Sequence, residues 1–342
     1  MKSLVLQEPG RIVAAEAPEP AAPGAGEALV RVHRVGVCGT DLHAFHGRQP
    51  FFSYPRILGH ELGVEVLAVG EGVENVAVGD RCAVEPYLNC GRCIACRRGK
   101  PNCCTELKVL GVHIDGGHRE RIVVPAAKLH RSHKLNYDQL ALVETLGIGA
   151  HAVQRAALER GETVAVIGAG PIGLAVIQFA LAAGARVIAL DVNAERLAFC
   201  RERIGLAAGD TIDARGLDVV ARLRELTGGD LPTAVFDATG NAKSMAAAFD
   251  YPAHGGRLVF VGLFPGEVTF NDPNFHRREL TLLASRNSRP EDFRRIIELV
   301  ENGVVDTTPW VTHRAPLGEV PERFESWTRP ESGVLKAMIA LA

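Results

Sequence analysis

The chain has 342 residues, of which 47% are hydrophobic and 23% charged, and its formal net charge is −2. That length suits two domains of ordinary size, and the composition is that of a soluble globular protein. A near-neutral balance without a basic stripe argues against nucleic acid or an acidic membrane surface as a partner.

In chain order, the opening MKSLVLQEPGR lacks the apolar core of a signal peptide. A cytoplasmic location is therefore expected, where clustered cysteines serve as metal ligands more often than as a disulfide framework. Residues 1–145 read as short β-segments broken by Gly and Pro, among them EALVRVHRVGV, GVEVLAVG and DRCAVEPY. They predict a mostly-β domain that carries a cysteine-rich lobe at 89–104. From 146 the texture changes. HAVQRAALERG predicts a helix ending at Gly161, and TVAVIGAG, PIGLAVIQFALAAG, ARVIALD and NAERLAFCRERIG alternate strand and helix. PTAVFDATG and GRLVFVGLF add apolar strands, with a helical KSMAAAFDY between them. Such alternation predicts an α/β fold, a doubly wound parallel Rossmann sheet over 146–289. Residues 164–190 carry a single charge and mimic a membrane span, but their glycines and Pro171 break a continuous helix. The tail, 290–342, predicts a helix and then a strand that returns to the first domain.

The lobe reads NCGRCIACRRGKPNCC. Cys90, Cys93, Cys96 and Cys104 are spaced C-x2-C-x2-C-x7-C, which differs from the ferredoxin pattern and lacks its following proline. Four thiolates on one short loop suit tetrahedral zinc, and four sulfur ligands leave no position for substrate. The lobe is thus expected to be structural, with Cys103 spare. A second soft set is offered by VGVCGTDLHAF and PRILGHELGV, which hold Cys38 and His60 in Gly-rich turns. Taken singly, each is an ordinary buried cysteine or loop histidine; Thr40, Asp41 and His43 at fixed offsets argue for a site. GAGPIG follows a strand and opens a helix, the context that a dinucleotide turn requires. Gly168 permits the tight turn, Gly170 lets a pyrophosphate approach, and Gly173 allows close helix packing. Pro171 and Ile172 open the helix whose N-terminus faces the phosphates. Asp191 ends the next strand, where a carboxylate accepts from the adenosine ribose and repels a 2′-phosphate, so NAD is expected over NADP. Arg196 is the residue that offsets this charge or packs over adenine.

CGTDLH, GHE, the four-cysteine lobe and GAGPIG occur together in an order that resembles the zinc-dependent medium-chain dehydrogenase/reductase family. The resemblance covers essentially the whole chain. It implies a GroES-like catalytic domain joined to the Rossmann domain, two zinc ions per chain, and a homodimer or homotetramer. It further implies a catalytic zinc held by Cys38, His60 and a third ligand near the domain junction, where ALVETLGIG presents Glu144. Glu61 is the rival that exchanges in, and Thr145 stands where many polyol-oxidising relatives have proline. Asp41 is expected to hydrogen-bond the outer nitrogen of His60, and Thr40 and His43 match the family's proton relay. Val261, Leu263, Ser285 and Asn287 are placed by resemblance beside the nicotinamide.

VLGVHIDGGHRERIVVP and SRNSRPEDF resemble the polyol and sugar-acid branch, including galactonate and gulonate 5-dehydrogenases. The expected reaction is oxidation of a secondary alcohol to a ketone with hydride transfer. His113 and Arg286 are candidate carboxylate contacts, set against a turn-capping histidine and an arginine that serves cofactor or a neighbouring subunit. The alternatives are an L-threonine 3-dehydrogenase-like or general alcohol dehydrogenase, a zinc-lobe module that senses NAD, and a zinc-free relative. Metal content separates the last two from the enzyme.

Overall fold

In a computed structural model of the chain, residues 1–50 and 52–341 are described, Pro330 by its backbone alone. The chain divides into two units, Met1–Thr145 with Ser288–Ala342, and Leu146–Asn287.

The first unit begins with a hairpin of β1 (Lys2–Glu8) and β2 (Arg11–Glu16). Next come β3 (Glu27–Val37), α1 (Gly39–Phe45), β4 (Glu61–Val69), β5 (Arg81–Val84) and β6 (Tyr87–Leu88). The lobe carries α2 (Ile94–Arg97), and β7 (Lys108–Val109), β8 (Arg121–Pro125) and β9 (Leu129–Arg131) follow. α3 (Tyr137–Ala156) carries the chain into the second unit. It starts earlier than the sequence suggests and stops at Ala156, because Ala157 takes a positive φ of 50°. Six strands of the second unit are β10 (Thr163–Ile167), β11 (Arg186–Asp191), β12 (Thr211–Asp213), β13 (Ala234–Asp237), β14 (Arg257–Phe260) and β15 (Thr281–Ala284). Its helices are α4 (Pro171–Ala182), α5 (Ala194–Glu202), α6 (Val219–Leu226), α7 (Ala242–Ala247) and α8 (Asp272–Arg277). The first unit resumes with α9 (Pro290–Glu301), β16 (Val311–Pro316), α10 (Val320–Trp327) and β17 (Lys336–Ala340).

In the first unit, β16-β17-β3-β4-β5-β9 form one sheet, with β8 also on β3. β3 alternates buried and half-buried positions, as a strand with one core face does. Val30, Val32, Val64, Val66 and Ile122 form that core with Phe324 and Trp327 of α10. Each such side chain contributes about 1.5–3 kcal/mol when fully buried. β17 pairs antiparallel with β3, which brings the far end of the sequence beside Val37.

The second unit is a parallel sheet in the order β12-β11-β10-β13-β14-β15. The strand order reverses between β10 and β13, where ligands bind such sheets. Apolar runs such as TVAVI bury both faces, the reason they read as continuous rather than alternating. The apolar stretch at 164–190 is β10, α4 and β11 of this sheet. No helix among the described residues is long and apolar enough to cross a membrane.

Candidate functional site

β3 and β4 set up a site in the first unit. Their register puts Gly36 opposite Glu61. A Cβ on Gly36 would lie 2.0 Å from a Glu61 carboxylate oxygen, so the glycine leaves the space that this carboxylate fills. Cys38 follows at the end of β3 and caps α1, donating its N–H to Asp41 Oδ2 at 2.9 Å. His60 enters from the turn before β4. The ligand atoms of Cys38, His60 and Glu61 lie within 4.8 Å of one another.

The donor set fits a zinc-type ion with an open position: one thiolate, one imidazole and one carboxylate. A second observation agrees. Asp41 is fully buried, and its Oδ1 stands 3.7 Å from His60 Nδ1. Neither atom has a hydrogen-bond partner. The 3.7 Å gap is longer than the hydrogen bond expected between them, yet the pairing turns Nδ1 to Asp41 and leaves Nε2 for a metal. Burial disfavours the imidazolium, but Asp41 and then Cys38 outweigh it and raise the His60 pKa. This anion-rich pocket suits a cation.

Glu144 is not in the three-atom group. It is buried, and its Oε1 accepts a hydrogen bond from the Tyr87 hydroxyl. Glu61 is bound instead by Lys336, whose Nζ donates to both carboxylate oxygens at 2.7 and 2.8 Å. Lys336 also donates to Val37 O at 3.2 Å and to Thr145 Oγ1 at 3.3 Å. A threonine after Glu144 therefore has a use that proline lacks, as an acceptor for a buried ammonium. Lys336 and Tyr87 were not singled out from sequence. The one signal for Lys336 is a lone charge inside the apolar strand GVLKAMIALA.

Thr40 is half-buried and His43 exposed on α1. Partial covering of the ring, then Arg48 and His46, hold the His43 pKa below its ordinary value. His113 Nδ1 accepts the Val109 N–H at 3.1 Å, the turn-capping role weighed against substrate binding.

In the lobe, the sulfurs of Cys90, Cys93, Cys96 and Cys104 also fall within 4.8 Å of one another. Backbone N–H groups point at them: Cys90 N to Cys104 Sγ at 3.2 Å, and Cys93 N to Cys90 Sγ at 3.4 Å. Backbone donors from Cys96 and Thr105 lower the Cys93 thiol to about 5, a shift that favours the ligating thiolate. Four converging sulfurs fit zinc. Cys103 points to solvent. Cys82 and Cys200 are buried thiols pushed up to about 12, chemically inert.

In the second unit, GAGPIG leaves β10 and α4 begins at Pro171, with Ile172 in its first turn. Gly168 N–H bonds to Leu190 O at 2.7 Å. A Cβ on Gly173 would fall 1.6 Å from Gly168 O, so only glycine lets the helix close on the turn. Asp191 ends β11, and its carboxylate accepts from Ala169 N at 2.6 Å and Asn193 N at 2.8 Å. Arg196 is exposed, with its guanidinium 3.5 Å from where a Gly170 Cβ would stand. Val261 is half-buried and Leu263 is 73% exposed beyond β14. The buried Ser285 Oγ and Asn287 Nδ2 have no hydrogen-bond partner. An open glycine cradle, a carboxylate at the second strand end and two orphaned polar atoms fit a dinucleotide. Arg286, between Ser285 and Asn287, is exposed.

Residues 24–134 match the alcohol dehydrogenase GroES-like domain, and residues 171–302 match the zinc-binding dehydrogenases. The L-galactonate-5-dehydrogenase of Escherichia coli K12 is 42% identical over 95% of this chain and 94% of its own length. The chain belongs to the zinc-type medium-chain alcohol dehydrogenases. Relatives in the family match along the whole fold. An alcohol dehydrogenase from E. coli CFT073, solved with NADH, superposes with a TM-score of 0.92 at 31% identity, over 100% of this chain and 99% of that one. A Sinorhizobium meliloti zinc-binding dehydrogenase solved with NADP reaches 0.90 at 30% identity, over 99% of both chains.

Proposed function

We propose that the chain is an NAD-linked, zinc-dependent dehydrogenase that oxidises a secondary alcohol of a sugar acid, of the galactonate or gulonate type, to the ketone. The observation that carries this reading is the convergence of Cys38, His60 and Glu61 beside the buried Asp41. The similarity to an L-galactonate-5-dehydrogenase supports the substrate class.

When bound, zinc supplies a Lewis acid that eases loss of an alcohol proton, and the nicotinamide accepts a hydride. The chain supplies the rest. Cys38, His60 and Glu61 hold the metal, and Glu144 stands by as the carboxylate favoured at the sequence level. Asp41 fixes the tautomer of His60. Lys336 balances the charge of Glu61. Thr40 takes the substrate hydroxyl proton, and His43, at the surface, passes it to solvent. Cys90, Cys93, Cys96 and Cys104 hold a second, structural zinc. Val261, Leu263, Ser285 and Asn287 bind the nicotinamide half, the last two through their unpartnered polar atoms. Assembly as a homodimer or homotetramer belongs to this reading. The outer edge of β15 carries no partner strand among the described residues, and Leu282 on it is 40% exposed.

Metal analysis tests the site: two zinc ions per wild-type chain and one in Cys38→Ser are expected. One ion in the wild type would leave only the lobe, and none would remove the metal reading altogether.

Asp191 sets the nucleotide preference. Alanine would strip acceptors from two backbone N–H groups, whereas Asp191→Asn keeps one acceptor and sets an amide NH2 against the other N–H, so its melting temperature is measured beside the titration. Titration should show NAD affinity falling by about 1–3 kcal/mol, the range for a hydrogen bond to a charged group. The gap between NAD and NADP should narrow. Unchanged affinity for both would mean that the ribose lies elsewhere.

Arg286 is the candidate for the substrate carboxylate. Arg286→Met should raise KM for an aldonate and spare NAD binding, since ground-state contacts act on KM. An equal loss with neutral polyols would reduce the reading to a general polyol dehydrogenase.

A further inference from the structure

The Glu85–Asn89 segment is tied down on both sides of Tyr87. Glu85, buried, is bonded by Lys128 Nζ and by His130 Nε2, the latter at 3.1 Å. Asn89 Oδ1 accepts from the same Lys128 at 3.0 Å, and its Nδ2 donates to Cys96 Sγ at 3.6 Å. Tyr87 pairs with Val109 across β6 and β7. Tyr87 is 3% exposed, and its hydroxyl has a buried acceptor, Glu144 Oε1. Thus a phenol held on a doubly anchored segment meets Glu144, the carboxylate weighed against Glu61 for the proposed metal site. The other carboxylate, Glu61, is already in the donor group.

We propose that Tyr87 is a positioning residue that holds the Glu144 carboxylate out of the metal's donor set, so that Glu61 completes it. The inference rests on the metal site proposed above. The physical ground is the cost of leaving a buried carboxylate without a donor. A partnered carboxylate can still bind a metal, as Glu61 shows with Lys336 on both its oxygens, so Tyr87 acts on Glu144 by position: it ties Oε1 to an anchored segment, and moving to the metal would break that buried bond. Without that hydroxyl, Glu144 is a buried anion close to a cation, and coordination is its best remaining partner. The segment's anchoring to Cys96 means that the structural lobe helps to hold Tyr87 in register.

The test uses the full chain with Co²⁺ in place of zinc. The visible d–d spectrum of the Cys38 site is taken as the part lost in Cys38→Ser. Tyr87→Phe should shift those bands and reduce their intensity as a carboxylate joins the coordination. Glu144→Gln alone should leave them as in wild type, and Tyr87→Phe with Glu144→Gln should restore the wild-type spectrum. A role confined to packing would not produce that restoration. Bands unchanged in Tyr87→Phe, or changed equally by Glu144→Gln alone, would overturn the proposal. Where Tyr87→Phe alone fails to fold, Tyr87→Phe with Glu144→Gln, which buries no unpartnered carboxylate, is compared with Glu144→Gln: matching bands are expected, and bands that differ would overturn the proposal. A wild type without any Cys38-dependent cobalt signal would instead contradict the metal site itself, and the role of Tyr87 with it.

Discussion

Cys38→Ser is expected to reduce NAD turnover by about 10³-fold or more while the chain melts close to wild type. Losing one electrostatic stabiliser of a transition state already costs about 10²–10³-fold, and here the group that supplies the Lewis acid is lost. Stability should hold because Cys38 is only half-buried and serine suits the capping box of α1, in which the Cys38 N–H donates to Asp41 and its side chain faces the Asp41 N–H. Binding of NAD, measured by titration, should be nearly unchanged, since the glycine turn and Asp191 lie in the other unit. A variant that retained turnover would remove Cys38 from the site.

Cys96→Ser should do the reverse. The α2 helix of the lobe has four residues and buries none of them, so apolar packing does not hold it. On the proposed reading its order depends on its sulfurs meeting a metal, since a structural zinc contributes folding energy directly. A loss of about 3–5 kcal/mol is expected, the upper range for a single substitution. In a domain of this size that is roughly 6–20 °C in Tm, read by calorimetry. Molecules that remain folded should keep Cys38, His60 and Glu61 in place and should turn over. Full stability with lost activity would exchange the roles assigned to the two cysteine sets.

The convergence of the lobe's four sulfurs was legible because those cysteines lie within fifteen residues, so spacing alone constrains the geometry. The dinucleotide turn was legible for the same reason: glycines, strand and helix are contiguous. EALVRVHRVGV became β3 without change, whereas DRCAVEPY is split between β5 and the start of β6. The third member of the Cys38–His60 donor group was a different matter. The choice between Glu61 and Glu144 depends on the partner each carboxylate finds. Glu61 finds Lys336, which is 275 residues away and arrives only because β17 pairs with β3. Glu144 finds Tyr87 across 57 residues. Such pairings are set by sheet register, which no local window contains. β15, with exposed and half-buried residues in place of an apolar run, was missed for a related reason: it is an edge strand and buries little.

Zinc-dependent oxidation of a sugar acid by this chain is read from the initial rate of NADH formation. Zinc-loaded wild-type chain would be given L-galactonate or L-gulonate, and in parallel sorbitol, L-threonine and simple alcohols. NADH should form fastest with an aldonate, and the rate should vanish in Cys38→Ser. No NADH from any of these alcohols, with both zinc ions in place, would contradict it.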